Sequence, residues 1–243
     1  MSLWYNRSSI RNDRLYNFKE VYYMKYQYLN SVFESKLNAS SLYNEIMNNY
    51  SAYSSLNNFH DYLENWCAVM LNAFKTEENK EFIFKGLEQY YTEIIIPNCA
   101  IRIHFCISDA KKYICDYDCQ SIPLSAFATF DNCVATVKYT EVNCDNGFDY
   151  SNCSEPIIAI EYPKDGFRYL VIDGNHRLSF LSKNNIKDSV DVILLSLKDT
   201  LSLIHSEFEK SVYLFLLEGA HIEECINDSA TSYYHDGAFR LPL

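Results

Sequence analysis

The stretch Tyr169-Leu170-Val171-Ile172-Asp173-Gly174-Asn175-His176-Arg177-Leu178-Ser179-Phe180-Leu181 decides how this chain is read. A β-rich apolar run stops at Ile172. Five polar or small residues follow, and apolar residues then return at helical spacing. The pattern predicts a strand, a tight turn and a helix start. A helix N-terminus presents backbone N–H groups that have no acceptor within the helix. With His176 and Arg177 beside them, these groups predict an anion site, and phosphate is the expected anion.

Working outward, Lys164-Asp165-Gly166 is a hairpin turn signal between strand-like runs at 156–162 and 167–172. Earlier strand-like runs cover 121–127 and 134–142. At 100–107, Ile101, Ile103 and Phe105 alternate with Arg102 and His104, which predicts another strand. One or two helical turns are expected over 108–114. The helix after the turn should span 175–183 and end at Asn184-Asn185, and a strand should follow at 189–197. The polar stretch 143–154 reads as a surface loop. Asp199 or Thr200 can cap a helix running through Leu201, Ile204, Phe208, Val212 and Phe215 to about Gly219. The tail beyond 226 has little pattern.

Residues 13–95 read as helical. A first helix carries Leu15, Phe18, Val21, Tyr22, Leu29, Val32, Phe33 and Leu37 at three- and four-residue steps, and a second covers 40–53. Asn58 caps a third running to about Phe74, with Phe59, Tyr62, Leu63, Trp66, Val69 and Met70 on one face. A fourth should run from 77 to about 94 and stop before Pro97. The expected class is α+β. A helical N-terminal region (1–98) precedes a mixed-sheet core (99–198), and a C-terminal helix and tail (199–243) close the chain.

At 48% hydrophobic and 22% charged, the 243 residues fit a globular protein able to bury a core. No run approaches the roughly 18 apolar residues of a membrane span. The N-terminal Met1-Ser2-Leu3-Trp4-Tyr5-Asn6-Arg7 is too polar for a secretory signal. Nine cysteines with irregular spacing and no such signal predict free thiols in a cytoplasmic protein. Cys115 and Cys119 are too far apart for a CxxC pair, so zinc is the weaker alternative to buried thiols. A net charge of −11 with no basic run argues against extensive contact with DNA or acidic membranes. The 21 tyrosines fit either an AT-rich coding bias or an aromatic stacking surface.

The core resembles the ParB/sulfiredoxin-like superfamily over about residues 120–198. The match begins with Ile122-Pro123-Leu124-Ser125-Ala126-Phe127 at the family's first strand and continues with Glu155-Pro156-Ile157-Ile158-Ala159-Ile160 at its Pro-Ile strand. It then takes in the hairpin, the Asp-Gly-Asn-His-Arg turn and helix, and the closing Val190-Asp191-Val192-Ile193-Leu194-Leu195. Members include CTP-dependent DNA partition proteins, ATP-dependent sulfinic acid reductases and kinases of free serine. The reductases carry a catalytic cysteine just before the His-Arg pair; Asn175 stands there in this chain, which argues against that chemistry. The family's helix between the first and Pro-Ile strands is replaced here by the extended-looking 134–142.

The resemblance implies nucleoside di- or triphosphate as ligand, with Mg²⁺. Gly174, Asn175, His176 and Arg177 would hold phosphate, with Gly174 allowing close backbone approach. Asp173 would hold the metal, a substrate group or the turn itself. His176 joins Asp173 in the expected catalytic set. The kinases place a carboxylate soon after the first strand; Asp131 is the nearest match for that general base, Glu141 a poorer one, and Glu155 a further acidic candidate. The leading expectation is phosphoryl transfer to an unknown small-molecule or macromolecular acceptor, or nucleotide hydrolysis. The alternatives are a non-catalytic regulatory or nucleic-acid-associated module, and a nucleic-acid-directed effector, which the net charge disfavours.

Overall fold

The computed structural model describes residues 23–24, 59–77, 82–83, 87–96, 99–124, 136–142, 150, 155–164, 166–184 and 190–227. In chain order the elements are β1 (Tyr23–Met24), α1 (Phe59–Glu77), β2 (Phe82–Ile83), β3 (Gln89–Ile96), β4 (Cys99–Cys106), α2 (Ile107–Tyr117), β5 (Ile122–Pro123), β6 (Thr136–Lys138), β7 (Ile157–Lys164), β8 (Phe167–Asp173), α3 (Asn175–Lys183), β9 (Asp191–Leu194), α4 (Leu197–Leu203) and α5 (Glu207–Asn227). The class is α+β. The expected helix at 40–53, the general-base candidate Asp131, most of the 143–154 loop and the tail from 228 lie outside the described residues.

Two compact units share the chain. The first takes the described parts of Met1–Gly86, Thr92–Ile103 and His205–Leu243; the second takes Leu87–Tyr91 and His104–Ile204. In the first unit α1 packs against α5. The α1 face holding Phe59, Tyr62, Leu63, Trp66 and Met70 is buried, as its spacing predicts. Val69, expected on that face, is exposed. Trp66 meets Phe215 edge-on at 5.4 Å, and Phe74 meets Phe208 at the same distance. The Tyr62 hydroxyl donates to Glu218.

Three helical expectations are corrected. The helix over 77–94 is instead β2 and β3. Tyr90, Tyr91, Thr92 and the run Ile94-Ile95-Ile96 are strand formers. Thr92 and Ile94 are buried while Tyr91 before them is exposed and Glu93 between them is half-buried, a two-residue alternation. Within the first expected helix, Tyr23–Met24 pairs with Phe82–Ile83 as an antiparallel bridge. The long helix from 199 is two helices, because two serines start them separately. Ser196 caps α4 by accepting the Asp199 N–H at 3.3 Å. Ser206 starts α5 by accepting the Glu209 N–H at 3.1 Å. Glu77 reinforces that second start, accepting from the Ser206 hydroxyl at 2.6 Å and from the Glu207 and Phe208 N–H groups at 2.7 and 3.3 Å.

The second unit is built on one five-stranded mixed sheet, ordered β5-β9-β7-β8-β6. β7 and β8 form the expected antiparallel hairpin, with Lys164 opposite Phe167 and Gly166 at φ +81°. β9 runs parallel to β7 and antiparallel to β5, and β6 runs parallel to β8. Among the described residues, β5 takes Ile122–Pro123 of the 121–127 run, and β6 takes Thr136–Lys138 of the 134–142 run while 139–142 lie outside it. Central β7 is buried on both faces from Ile157 to Ile160, as a covered strand should be. On one face Ile157, Ala159, Val171 and Val192 form a core with Leu178 and Leu181 of α3. α4 packs against β7 and α2 against α4.

Candidate functional site

The Asp-Gly-Asn-His-Arg turn joins interior strand β8 to α3, whose helical residues begin at Asn175 as the sequence predicts. Gly174 is the N-cap at φ +94° and offers no side chain to cap the helix. The first backbone bond back to it comes from the Leu178 N–H, at 3.0 Å. The N–H groups of Asn175, His176 and Arg177 therefore precede the helix's own hydrogen bonds. Gly174 also lies so close to β7 that a β-carbon on it would strike Ile157.

The four polar side chains of the turn have distinct surroundings. Asp173 is spent locally: Oδ1 accepts the Gly174 N–H at 2.9 Å, and Oδ2 pairs with the Lys111 ammonium at 3.2 Å. Asn175 is buried. Its Oδ1 accepts the Thr140 N–H at 2.8 Å, and its Nδ2 donates to the Val171 carbonyl at 3.3 Å. His176 is exposed. Arg177, one residue on, is only 7% exposed. Its Nη1 is sealed from solvent and has no hydrogen-bond partner among the described residues.

Arg177 is the feature that calls for a ligand. A guanidinium at a helix N-terminus has the same sign as the local end of the helix dipole. Burying Nη1 without a hydrogen-bond partner adds a desolvation cost of its own. Asp173 is the adjacent acid, but its charge is shared with Lys111. An anion at the end of α3 would offset both unfavourable terms.

Three features around the turn were not legible in the sequence. Residues 139–142 run beside α3 as a strap. Besides the Asn175 bond, the Ser179 hydroxyl accepts the Val142 N–H at 2.9 Å, and the Tyr90 and Thr140 hydroxyls lie 3.1 Å apart. Glu141, exposed, sits between the two strap residues that bond α3. Lys111 of α2 reaches Glu88 Oε2 at 2.8 Å as well as Asp173. Glu88 in turn starts α2, its carbonyl accepting the Ile107 N–H at 2.9 Å. Partial burial pulls the Lys111 pKa down, but the Glu88 and Asp173 carboxylates outweigh it and leave the pKa raised. The ammonium stays charged at neutral pH. No motif in the sequence links residues 88, 111 and 173. Glu155 is exposed at the entry to β7.

The described thiols Cys67, Cys106, Cys115 and Cys119 are free. Burial pushes the Cys67 thiol up to about 12 and that of Cys106 to about 11. No helix among the described residues is long and apolar enough to cross a membrane. Comparison of the chain with protein-family models, curated proteins and solved structures returned no match.

Proposed function

We propose that the second unit binds the phosphates of a nucleotide at the 173–177 turn. The observation that carries this reading is the buried Arg177 guanidinium, its Nη1 unpartnered, in the first turn of an uncapped helix. The backbone N–H groups of α3 and the Arg177 guanidinium bind phosphate, and Gly174 lets the backbone approach it closely. Asn175 contributes its N–H while its side chain holds the strap. His176, exposed beside the turn, is the group placed to meet an outer phosphate oxygen.

The ParB/sulfiredoxin-like reading of the core belongs to the same proposal. Its support is the order of a first strand, Pro-Ile strand, hairpin, polar turn, helix and closing strand within one sheet. On that reading the chemistry is phosphoryl transfer or nucleotide hydrolysis, in which the protein mainly positions groups and stabilises charge. The carboxylate that accepts the attacking hydroxyl's proton would be Asp131 or Glu141; the backbone on either side of Glu141 bonds α3. Mg²⁺ does not fit Asp173 as the side chain stands. One of its oxygens serves the turn and the other serves Lys111, so no step is assigned to a metal there.

The test is a thermal-shift titration of the full chain with pyrophosphate, ADP, ATP and CTP. A ligand at about 100 times its Kd adds roughly 2.7 kcal/mol to the folded state. Stabilisation of the wild type that disappears in Arg177→Met supports the reading. The absence of stabilisation by any phosphate compound would overturn it.

A further inference from the structure

The ammonium of Lys111 lies between two carboxylates, 2.8 Å from Glu88 Oε2 and 3.2 Å from Asp173 Oδ2. A divalent ion bridging those two acids would have to take the same position. Asp173 has no idle oxygen, because its Oδ1 holds the Gly174 N–H. Lys111 is not a chance surface contact. The Glu88 backbone carbonyl fixes the start of α2, and Lys111 follows one helical turn later on that helix. Its side chain is 47% exposed, so a ligand arriving at the start of α3 can reach it.

We propose that Lys111 is the resident cation of this site, and that phosphate binding at the 173–177 turn requires no divalent metal. This rests on reading the turn as a phosphate site. The incoming anion meets three positive elements: the Lys111 ammonium, the Arg177 guanidinium and the N-terminus of α3. Asp173 and Glu88 hold Lys111 in place and keep the empty site close to neutral. Lysine supplies a compact point charge on a flexible stem, so it can turn from a carboxylate to a phosphate oxygen without moving the backbone.

The experiment is calorimetric titration of the full chain with inorganic pyrophosphate, once in EDTA and once in excess Mg²⁺. The wild type should bind in EDTA with a Kd within about threefold of its value in Mg²⁺. Lys111→Gln should weaken binding in EDTA by about tenfold or more, the scale of one charged contact. It should also restore a dependence on Mg²⁺, because both carboxylates are freed. Wild-type binding seen only with Mg²⁺ would overturn the proposal and leave the phosphate reading standing. Equal affinities of wild type and Lys111→Gln in EDTA would remove Lys111 from the site. No binding under either condition would bring down both readings. Should Lys111→Gln fold poorly, the two wild-type titrations alone decide whether a metal is needed.

Discussion

Gly174 and Ile157 are in contact so close that no side chain fits between them. A β-carbon on residue 174 would overlap Ile157 Cγ2 and lie 3.0 Å from Ile157 Cβ. The backbone at 174 is also left-handed, at φ +94°. Gly174→Ala should therefore cost about 3 kcal/mol, combining backbone strain with overpacking. Ile157→Ala should cost a similar amount by opening a cavity. The double variant should lose clearly less than the sum, since removing Cγ2 relieves the overlap. Urea denaturation of the four proteins checks this; simple additivity would refute the contact as the cause.

Arg177→Met separates a ligand-binding arginine from a structural one. A structural ion pair would lose about 3–5 kcal/mol when one partner is removed. A guanidinium whose buried Nη1 has no hydrogen-bond partner, at a helix N-terminus, gives the opposite expectation. Without ligand, Arg177→Met should be as stable as the wild type, or more stable by about 1–3 kcal/mol. Denaturant melts in phosphate-free buffer measure this.

The strap over 139–142 should loosen when its anchors on α3 are cut. Asn175→Ala removes the acceptor of the Thr140 N–H, and Ser179→Ala removes that of the Val142 N–H. Each loss should cost about 1–2 kcal/mol. Amide hydrogen exchange should accelerate at Thr140 in the first variant and at Val142 in the second. Unchanged exchange at those amides would show that the strap is held by other contacts.

Thiol reactivity should follow burial. At pH 8, with a pKa of about 12, the Cys67 thiolate fraction is about one in ten thousand, and the Cys106 fraction about one in a thousand. Cys115 is exposed. Brief treatment of the native protein with iodoacetamide should label Cys115 well ahead of Cys67 and Cys106 in peptide mapping. Rapid labelling of Cys67 would contradict its burial beneath the α1–α5 packing.

The second unit was the more legible part. The alternation in its strands, the Lys164-Asp165-Gly166 turn and the change of period at Asp173 are local signals, and they located β7, β8 and α3 well. The helical reading of 77–94 failed because glutamates and tyrosines satisfy helical spacing as readily as strand alternation; burial of Thr92 and Ile94, a tertiary fact, decided it. The break between α4 and α5 was hidden because Phe208 and Val212 keep the helical phase of Leu201 and Ile204. The serines that reset the backbone are common residues. At the site, the turn itself could be read, but its neighbours could not. Lys111, Glu88 and the 139–142 strap reach Asp173 and α3 only through folding, and nothing in their local sequence marks them. Asn175 and Asp173, expected at the ligand, direct their side chains to the turn, the strap and Lys111 instead.

Glu77 closes α1 and also holds the first N–H groups of α5, 130 residues later in the chain. The second unit lies almost wholly within that interval, from Leu87 to Ile204. On the ribosome, at roughly 5–20 residues per second, Glu77 emerges on the order of ten seconds before the helix it caps. The apolar face of α1, with Phe59, Trp66 and Met70, has no α5 to cover it during that time. The sheet unit, by contrast, has all its strands as soon as Leu194 is out. Order of synthesis therefore lets the sheet unit mature first, and leaves the paired helices dependent on chaperone protection while the chain is being made.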